Sequence, residues 1–329
     1  RFGMPLKVAV IDDYQNLASA MNEWSELHNS EVTFFNQSFH NEKEKALKLF
    51  PYDVIVTIRE RSTFPSPLIN QLTNLKLIAG TGRRQNHVDL ETAKARGVVV
   101  TGTHIGEGEV SRNTDSGNST AELTWGLILD LARKITWENN ALHKGVWQSS
   151  ISENLAGKTL GIMGLGRIGS KIANFGNAFG MDVISWGPTL TNNRAARSKA
   201  KLVSWDELFE NSDFLSIHVL LSSLSKSWVG AREFSLMKPS AYIINTARSG
   251  IVDSEALVDA LETRRIAGGA FDVFDNEPID SHHPLLMLDN VIATPHLGYA
   301  SRETLQEFLK QAIESVKSWL AGKPVNVVN

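Results

Sequence analysis

The run Gly164-Leu165-Gly166-Arg167-Ile168-Gly169 lies in the middle of the chain, directly after the apolar stretch Thr159-Leu160-Gly161-Ile162-Met163. Apolar residues then recur at Ile168, Ile172, Phe175 and Phe179, the spacing of a helix face. A strand, a turn with glycines at Gly164, Gly166 and Gly169, and a helix leave few folds open. Glycine permits the tight turn and a close approach of backbone to a pyrophosphate, whose charge then faces the helix N-terminus. A GxGxxG pattern alone also fits a ligand-free turn. The strand before it and the helix after it point to a dinucleotide site.

The chain has 329 residues, enough for about two domains. A composition of 42% hydrophobic and 21% charged residues is that of a globular protein. The net charge of -3, with no basic stripe or arm, argues against nucleic acid and anionic lipid as partners. No apolar stretch is long enough to span a bilayer, and no signal-peptide pattern appears, so no membrane partner is expected. Without cysteine there is no disulfide and no thiolate chemistry. That fits a reducing compartment, and a cytoplasmic location is expected. No His/Cys cluster has zinc-site spacing, so no metal is expected.

Short apolar runs alternate with helical patterns through the first third of the chain. Strands are expected at residues 7–11, 32–35, 54–58, 75–79 and 98–101, a pattern that implies a parallel sheet covered by helices. The polar stretch 106–117 has little to bury and is the candidate mobile loop. One long amphipathic helix is expected over 118–143, as a crossover into a second domain. Strands resume at 159–163, 182–186, 214–218, 241–246, 269–273 and 291–294, six around one glycine fingerprint. A last amphipathic helix, 301–320, returns the chain to the first domain. The expected fold is therefore α/β, two Rossmann-like doubly wound parallel-sheet domains. The dinucleotide-binding domain, 118–299, is inserted into a flavodoxin-like substrate domain made of 1–117 and 300–329.

Three polar residues fall at or just past the ends of expected strands, where open α/β sheets bind ligands. Arg248 follows Ile243-Ile244-Asn245-Thr246-Ala247, and an arginine there can grip a carboxylate with two charge-assisted hydrogen bonds. A surface ion pair is its plainer role. His296 lies in Thr294-Pro295-His296-Leu297-Gly298 and carries the side chain that titrates nearest neutrality. An isolated histidine is more often structural. Glu277, a loop charge by itself, changes that if it abuts His296, because a carboxylate partner orients an imidazole for acid–base work.

Four blocks carry a resemblance: Leu155 to Gly169, Met237 to Gly250, Gly268 to Pro278 and Thr294 to Gly298. In order and spacing they resemble the D-isomer-specific 2-hydroxyacid dehydrogenases over nearly the whole chain. The resemblance implies that Arg248 binds and polarises a 2-oxo acid, that His296 protonates its carbonyl oxygen during reduction, and that Glu277 supports His296. It implies Arg167 and Ile168 on the pyrophosphate, Thr246, Ala247 and Asp272 by the nicotinamide, and Thr120, His218 and Gly298 at the cofactor. It also implies help for the substrate carboxylate from the backbone of Gly82, Arg83 and Arg84. The expected partners are a small 2-oxo or 2-hydroxy acid and a second copy of the chain, in a homodimer formed through the dinucleotide-binding domain.

Two departures matter. Where NAD-using relatives end the second strand of that domain on an acidic residue, this chain reads Ser185-Trp186-Gly187-Pro188. Loss of the carboxylate at Gly187 removes a ribose contact and the repulsion that excludes a 2′-phosphate. Thr189 and Arg194 follow closely, so NADP is favoured over NAD. In the loop Thr81-Gly82-Arg83-Arg84, two arginines stand where many relatives carry small residues. Rival functions are a dinucleotide-sensing scaffold like the C-terminal-binding-protein corepressors and a short D-3-phosphoglycerate dehydrogenase.

Overall fold

The computed structural model describes residues 5–83, 85–103 and 116–329. Arg84 and residues 106–115 of the candidate mobile loop lie outside the described residues. The chain divides into two units, Arg1–Asp115 with Ser301–Asn329, and Ser116–Ala300.

The first unit holds β1 (Leu6–Ile11), β2 (Ser30–Phe34), β3 (Val54–Thr57), β4 (Leu77–Gly80) and β5 (Val99–Thr101). They form one parallel sheet in the order β2-β1-β3-β4-β5, the flavodoxin-like order. Strands β3 and β4 are buried at every residue, as a parallel sheet covered on both faces requires. The helix Arg302–Leu320 belongs to this unit and packs on β4, burying Leu305, Phe308, Leu309, Ala312, Ile313 and Val316. Those residues recur every three or four positions, which turns one stripe of the helix inward. The tail then joins the sheet edge, with the Val328 amide donating to the Val100 carbonyl at 2.9 Å.

The second unit holds β6 (Thr159–Met163), β7 (Asp182–Trp186), β8 (Lys201–Leu202), β9 (Phe214–Ile217), β10 (Tyr242–Asn245), β11 (Gly268–Phe271) and β12 (Val291–Ala293). Their order is β12-β11-β10-β9-β6-β7-β8, all parallel. The order reverses at β6, between β7 and β9, and the crevice at such a reversal is where doubly wound sheets take ligands. Leu160 and Ile162 of β6 face a core shared with Ile128, Leu131, Ile172 and Ala173, while Met163 turns to a second core with Leu215, Ile217 and Ile243. Truncating a side chain as enclosed as Ile172 to alanine costs about 2–5 kcal/mol.

Two expectations need correction. The helix expected over 118–143 is two helices, Ser116–Arg133 and Ile135–His143. Lys134 breaks it in the left-handed region, φ 57°. Its ammonium donates to the Tyr242 hydroxyl at 2.9 Å, and the Asp130 carboxylate accepts from the Thr136 amide at 2.8 Å. Tertiary contacts thus override a continuous helical pattern. The sheet also has a seventh strand: β8, two residues long and at the edge, is too short for a period-2 pattern to reveal. No helix among the described residues is long and apolar enough to cross a membrane.

Candidate active site

The fingerprint turn follows β6. Gly164 lies at φ +97°, and a Cβ there would stand 2.9 Å from the backbone of His218 and Val219 at the end of β9. A Cβ on Gly169 would meet the Gly164 carbonyl oxygen at 2.1 Å. These two glycines are required by backbone packing alone. Gly166 is different, because it N-caps the helix Arg167–Ala178 with open space where its Cβ would be. Room in front of unsatisfied amides at a helix N-terminus is what a phosphate needs, so the turn fits the diphosphate of a dinucleotide. Arg167 is exposed at the first helical position, and Ile168 is half-buried against the core.

At the end of the neighbouring strand β7, Gly187 is half-buried, and a Cβ there would make only ordinary contact with Leu190 at 3.4 Å. A side chain is therefore sterically admissible, and its absence leaves this strand end uncharged. Thr189 and Arg194 are exposed beside it, with the Arg194 guanidinium donating to the Thr189 carbonyl at 3.0 Å. His218, past β9, shares a 2.7 Å hydrogen bond with the Ser216 hydroxyl. Desolvation pushes its imidazole down to about 3, so it is neutral at physiological pH.

The second cluster lies past the ends of β10, β11 and β12. His296 Nδ1 and Glu277 Oε2 are 2.6 Å apart, with side chains 24% and 33% exposed. The other Glu277 oxygen accepts from the Phe274 amide at 2.9 Å, which fixes the carboxylate. Burial works to raise the Glu277 carboxyl. The His296 hydrogen bond and charge, the Phe274 amide and the charge of Arg248 outweigh it and hold the group below the usual range. Arg248 is thus close enough for its charge to act on this pair. Its own guanidinium donates to the Ala247 carbonyl at 2.7 Å.

His296 sits at φ 52°, a left-handed conformation uncommon outside glycine. Asp272, fully buried at the end of β11, holds it there. One carboxylate oxygen accepts from the Thr294 hydroxyl at 2.6 Å and the Leu297 amide at 2.7 Å, the other from the Gly298 amide at 2.8 Å. Burial nonetheless raises the Asp272 carboxyl above its usual value, against those bonds and the charge of His296. Thr120 braces the turn from the other side, its hydroxyl donating to the Gly298 carbonyl at 2.8 Å. Thr246 is buried, its hydroxyl 2.7 Å from that of Thr124, and Ala247 is half-buried beside it.

In the first unit, the turn after β4 is occupied by its own contacts. The Gly82 amide donates to the Thr103 hydroxyl at 2.6 Å, and its carbonyl accepts from the Gln85 side chain at 2.7 Å. Arg83 is exposed. Among the described residues no group of three or more His, Cys, Asp or Glu could hold a metal.

Residues 125–298 match the profile of the D-isomer specific 2-hydroxyacid dehydrogenase, NAD binding domain. That stretch contains both the glycine cradle and the Arg248, Glu277 and His296 cluster. The chain belongs to the D-isomer specific 2-hydroxyacid dehydrogenase family. A glyoxylate reductase of Aeropyrum pernix is 36% identical over 80% of this chain and 78% of its own length. A D-3-phosphoglycerate dehydrogenase of Archaeoglobus fulgidus is 32% identical over 87% of this chain, which spans about half of that relative, 53%. The crystal structure of a phosphoglycerate oxidoreductase from Vibrio cholerae superposes with a TM-score of 0.88 at 34% identity, covering 96% of this chain and 99% of that one.

Three residues of this cluster were not expected from the sequence. Thr294 and Asn245 act through hydrogen bonds to neighbouring backbone or carboxylate, and nothing in their residue type separates them from ordinary loop positions. Tyr299 is buried with its ring edge-on to the His296 ring, centroids 5.5 Å apart. Its place three residues after a candidate catalytic histidine was the available signal.

Proposed function

We propose that the chain reduces a 2-oxo acid to the D-2-hydroxy acid with NADPH or NADH, and that NADPH is preferred. The observation that carries this reading is the 2.6 Å His296–Glu277 pair beside Arg248 on the sheet whose first turn is a diphosphate cradle. Gly164, Gly166, Arg167, Ile168 and Gly169 would hold the diphosphate, and the segment Thr246-Ala247 with Asp272 would lie along the nicotinamide. A bound reduced nicotinamide supplies hydride to a carbonyl carbon.

The chain's own groups supply position, charge and a proton. Arg248 grips the substrate carboxylate and polarises the carbonyl. Glu277, ionised because its carboxyl is held low, anchors Nδ1 of His296 and leaves Nε2 to deliver a proton to the carbonyl oxygen. In the oxidative direction the same nitrogen takes the proton back, so the pH optimum for reduction lies below that for oxidation. The preference for NADPH is supported by the uncharged end of β7 at Gly187, with the Arg194 guanidinium folded over Thr189 beside it.

The relatives named above differ in the side chain of their acid, so the substrate class is set by the shared carboxylate and carbonyl. Glyoxylate, hydroxypyruvate, branched 2-oxo acids and phenylpyruvate assayed with NADPH and NADH test the reading. Turnover of at least one acid to the D-product, with the higher kcat/KM for NADPH, is expected. No turnover of any would contradict the function, and a higher kcat/KM for NADH would contradict the cofactor preference alone.

A homodimer through the second unit is part of the same proposal. The helix Ile135–His143 buries no residue, and the segment after it leaves Trp147 76% and Ile151 93% exposed. Apolar side chains so far out of the core favour a partner surface. Sedimentation equilibrium should give a dimer that Trp147→Asp converts to monomer.

A further inference from the structure

We propose that Asn245 is a positioning residue for Arg248, setting affinity for the substrate's carboxylate without touching substrate or cofactor; the inference rests on the reductase reading above. Asn245 closes β10 and is 2% exposed. Its side-chain amide brackets the turn that follows. The Nδ2 group donates to the Arg248 carbonyl at 2.9 Å, and Oδ1 accepts from the Ala247 amide at 3.0 Å. Ala247 is the pivot of the arrangement, because its own carbonyl accepts from the Arg248 guanidinium at 2.7 Å. The side chain of Arg248 is therefore fastened to a residue that Asn245 fastens to the sheet. The Arg248 carbonyl also receives the Ile251 amide, at 3.4 Å, a longer contact than the Asn245 bond.

The residue type follows from the polarity of the partners. One partner is an N–H and the other a C=O, so the side chain must accept and donate at once, which a short primary amide does. On the adjacent strand the partners of Asp272 are a hydroxyl and two amides, all donors, and there a carboxylate stands. The backbone joins the two positions, since the Asp272 amide donates to the Asn245 carbonyl at 3.1 Å. Neighbouring strand ends thus carry two brackets of different demand: Asp272 holds the turn of the proton donor, and Asn245 holds the turn of the carboxylate grip.

Asn245→Asp separates this role from a merely structural one. When ionised, the new carboxylate faces the Arg248 carbonyl with an acceptor and the turn opens. When protonated, it donates to that carbonyl and accepts from Ala247, restoring both bonds. Burial favours the protonated form and brings this change into the working pH range. At pH 8 the KM for the 2-oxo acid should rise roughly tenfold or more, the size of one lost charge-assisted hydrogen bond. It should fall back toward the unaltered value near pH 5.5, while dinucleotide Kd stays within about twofold. Asn245→Ala, which adds no charge, should raise KM at every pH and carries the test if the aspartate variant does not fold. A KM within twofold of the unaltered chain in Asn245→Ala, or a loss confined to kcat or dinucleotide Kd, overturns the inference. Failure of the reductase reading itself would look different, as an unaltered chain that turns over no 2-oxo acid.

Discussion

The two units put the same framework around their first strands and opposite chemistry in the turn that follows. Strand β1 lies between β2 and β3, and β6 between β7 and β9, all parallel. After β6 the chain runs Gly164-Leu165-Gly166, open at the helix N-terminus. After β1 it runs Asp12-Asp13-Tyr14, with Asp12 forced to φ 62° and both aspartates buried. The Asp13 carboxylate accepts from the Ala18 and Ser19 amides, each at 3.0 Å, doing with a side chain what a bound phosphate would do with its oxygens. Carboxylates in that turn also repel a phosphate. A doubly wound sheet offers a crevice at its carboxyl edge in either unit, but the turn after β6 opens space at a helix N-terminus where the turn after β1 is filled by carboxylates.

Substitutions in the two turns should break this comparison differently. Gly169→Val places side-chain atoms against the Gly164 carbonyl, and the forced backbone shift should weaken dinucleotide affinity by roughly 10- to 100-fold in a fluorescence titration. Asp13→Ala should leave that affinity unchanged and instead lower stability by about 1–3 kcal/mol in chemical unfolding, because two buried or half-buried amides lose their acceptor. Dinucleotide binding that tracks Asp13 rather than Gly169 would reverse the assignment of the two turns.

A smaller effect sharpens the comparison through pH, since among the described residues each unit holds a histidine kept neutral by burial. Desolvation pushes His87 in the first unit down to about 4 and His218 in the second down to about 3, from 6.5. The unfolded chain therefore takes up these protons near pH 6.5 and the native chain does not until far lower. Stability from both groups is present above pH 6.5 and is lost as pH falls toward 4. The midpoint of thermal unfolding should fall between pH 7 and pH 5, and His87→Gln should make that fall shallower. An unchanged slope in His87→Gln would mean that the imidazole is protonated in the native state.

The strands that carry the site were legible because buried parallel strands are continuous apolar runs, and Thr159–Met163 and Asp182–Trp186 fall where the sequence places them. The fingerprint was legible because Gly164 and Gly169 answer to steric demands that no other residue meets, while Gly166 leaves open space at the helix N-terminus. Lys134 was not, since its left-handed turn is imposed by Tyr242 and Asp130 rather than by a glycine or proline. Asn245 was hidden for a related reason: its importance lies in which groups surround it, and the turn geometry that brings Ala247 and Arg248 to its amide is not written in residue type. The pairing of Glu277 with His296 needed the fold to bring together residues 19 positions apart.

Under the proposed function the second unit carries the acid–base step, with His296 as proton donor and Glu277 as its anchor. Steady-state reduction by His296→Gln, with the best 2-oxo acid of the panel and a parallel dinucleotide titration, tests it most directly. In His296→Gln kcat should fall by about 10²–10⁴-fold with dinucleotide affinity unchanged. Near-normal turnover by His296→Gln would contradict it.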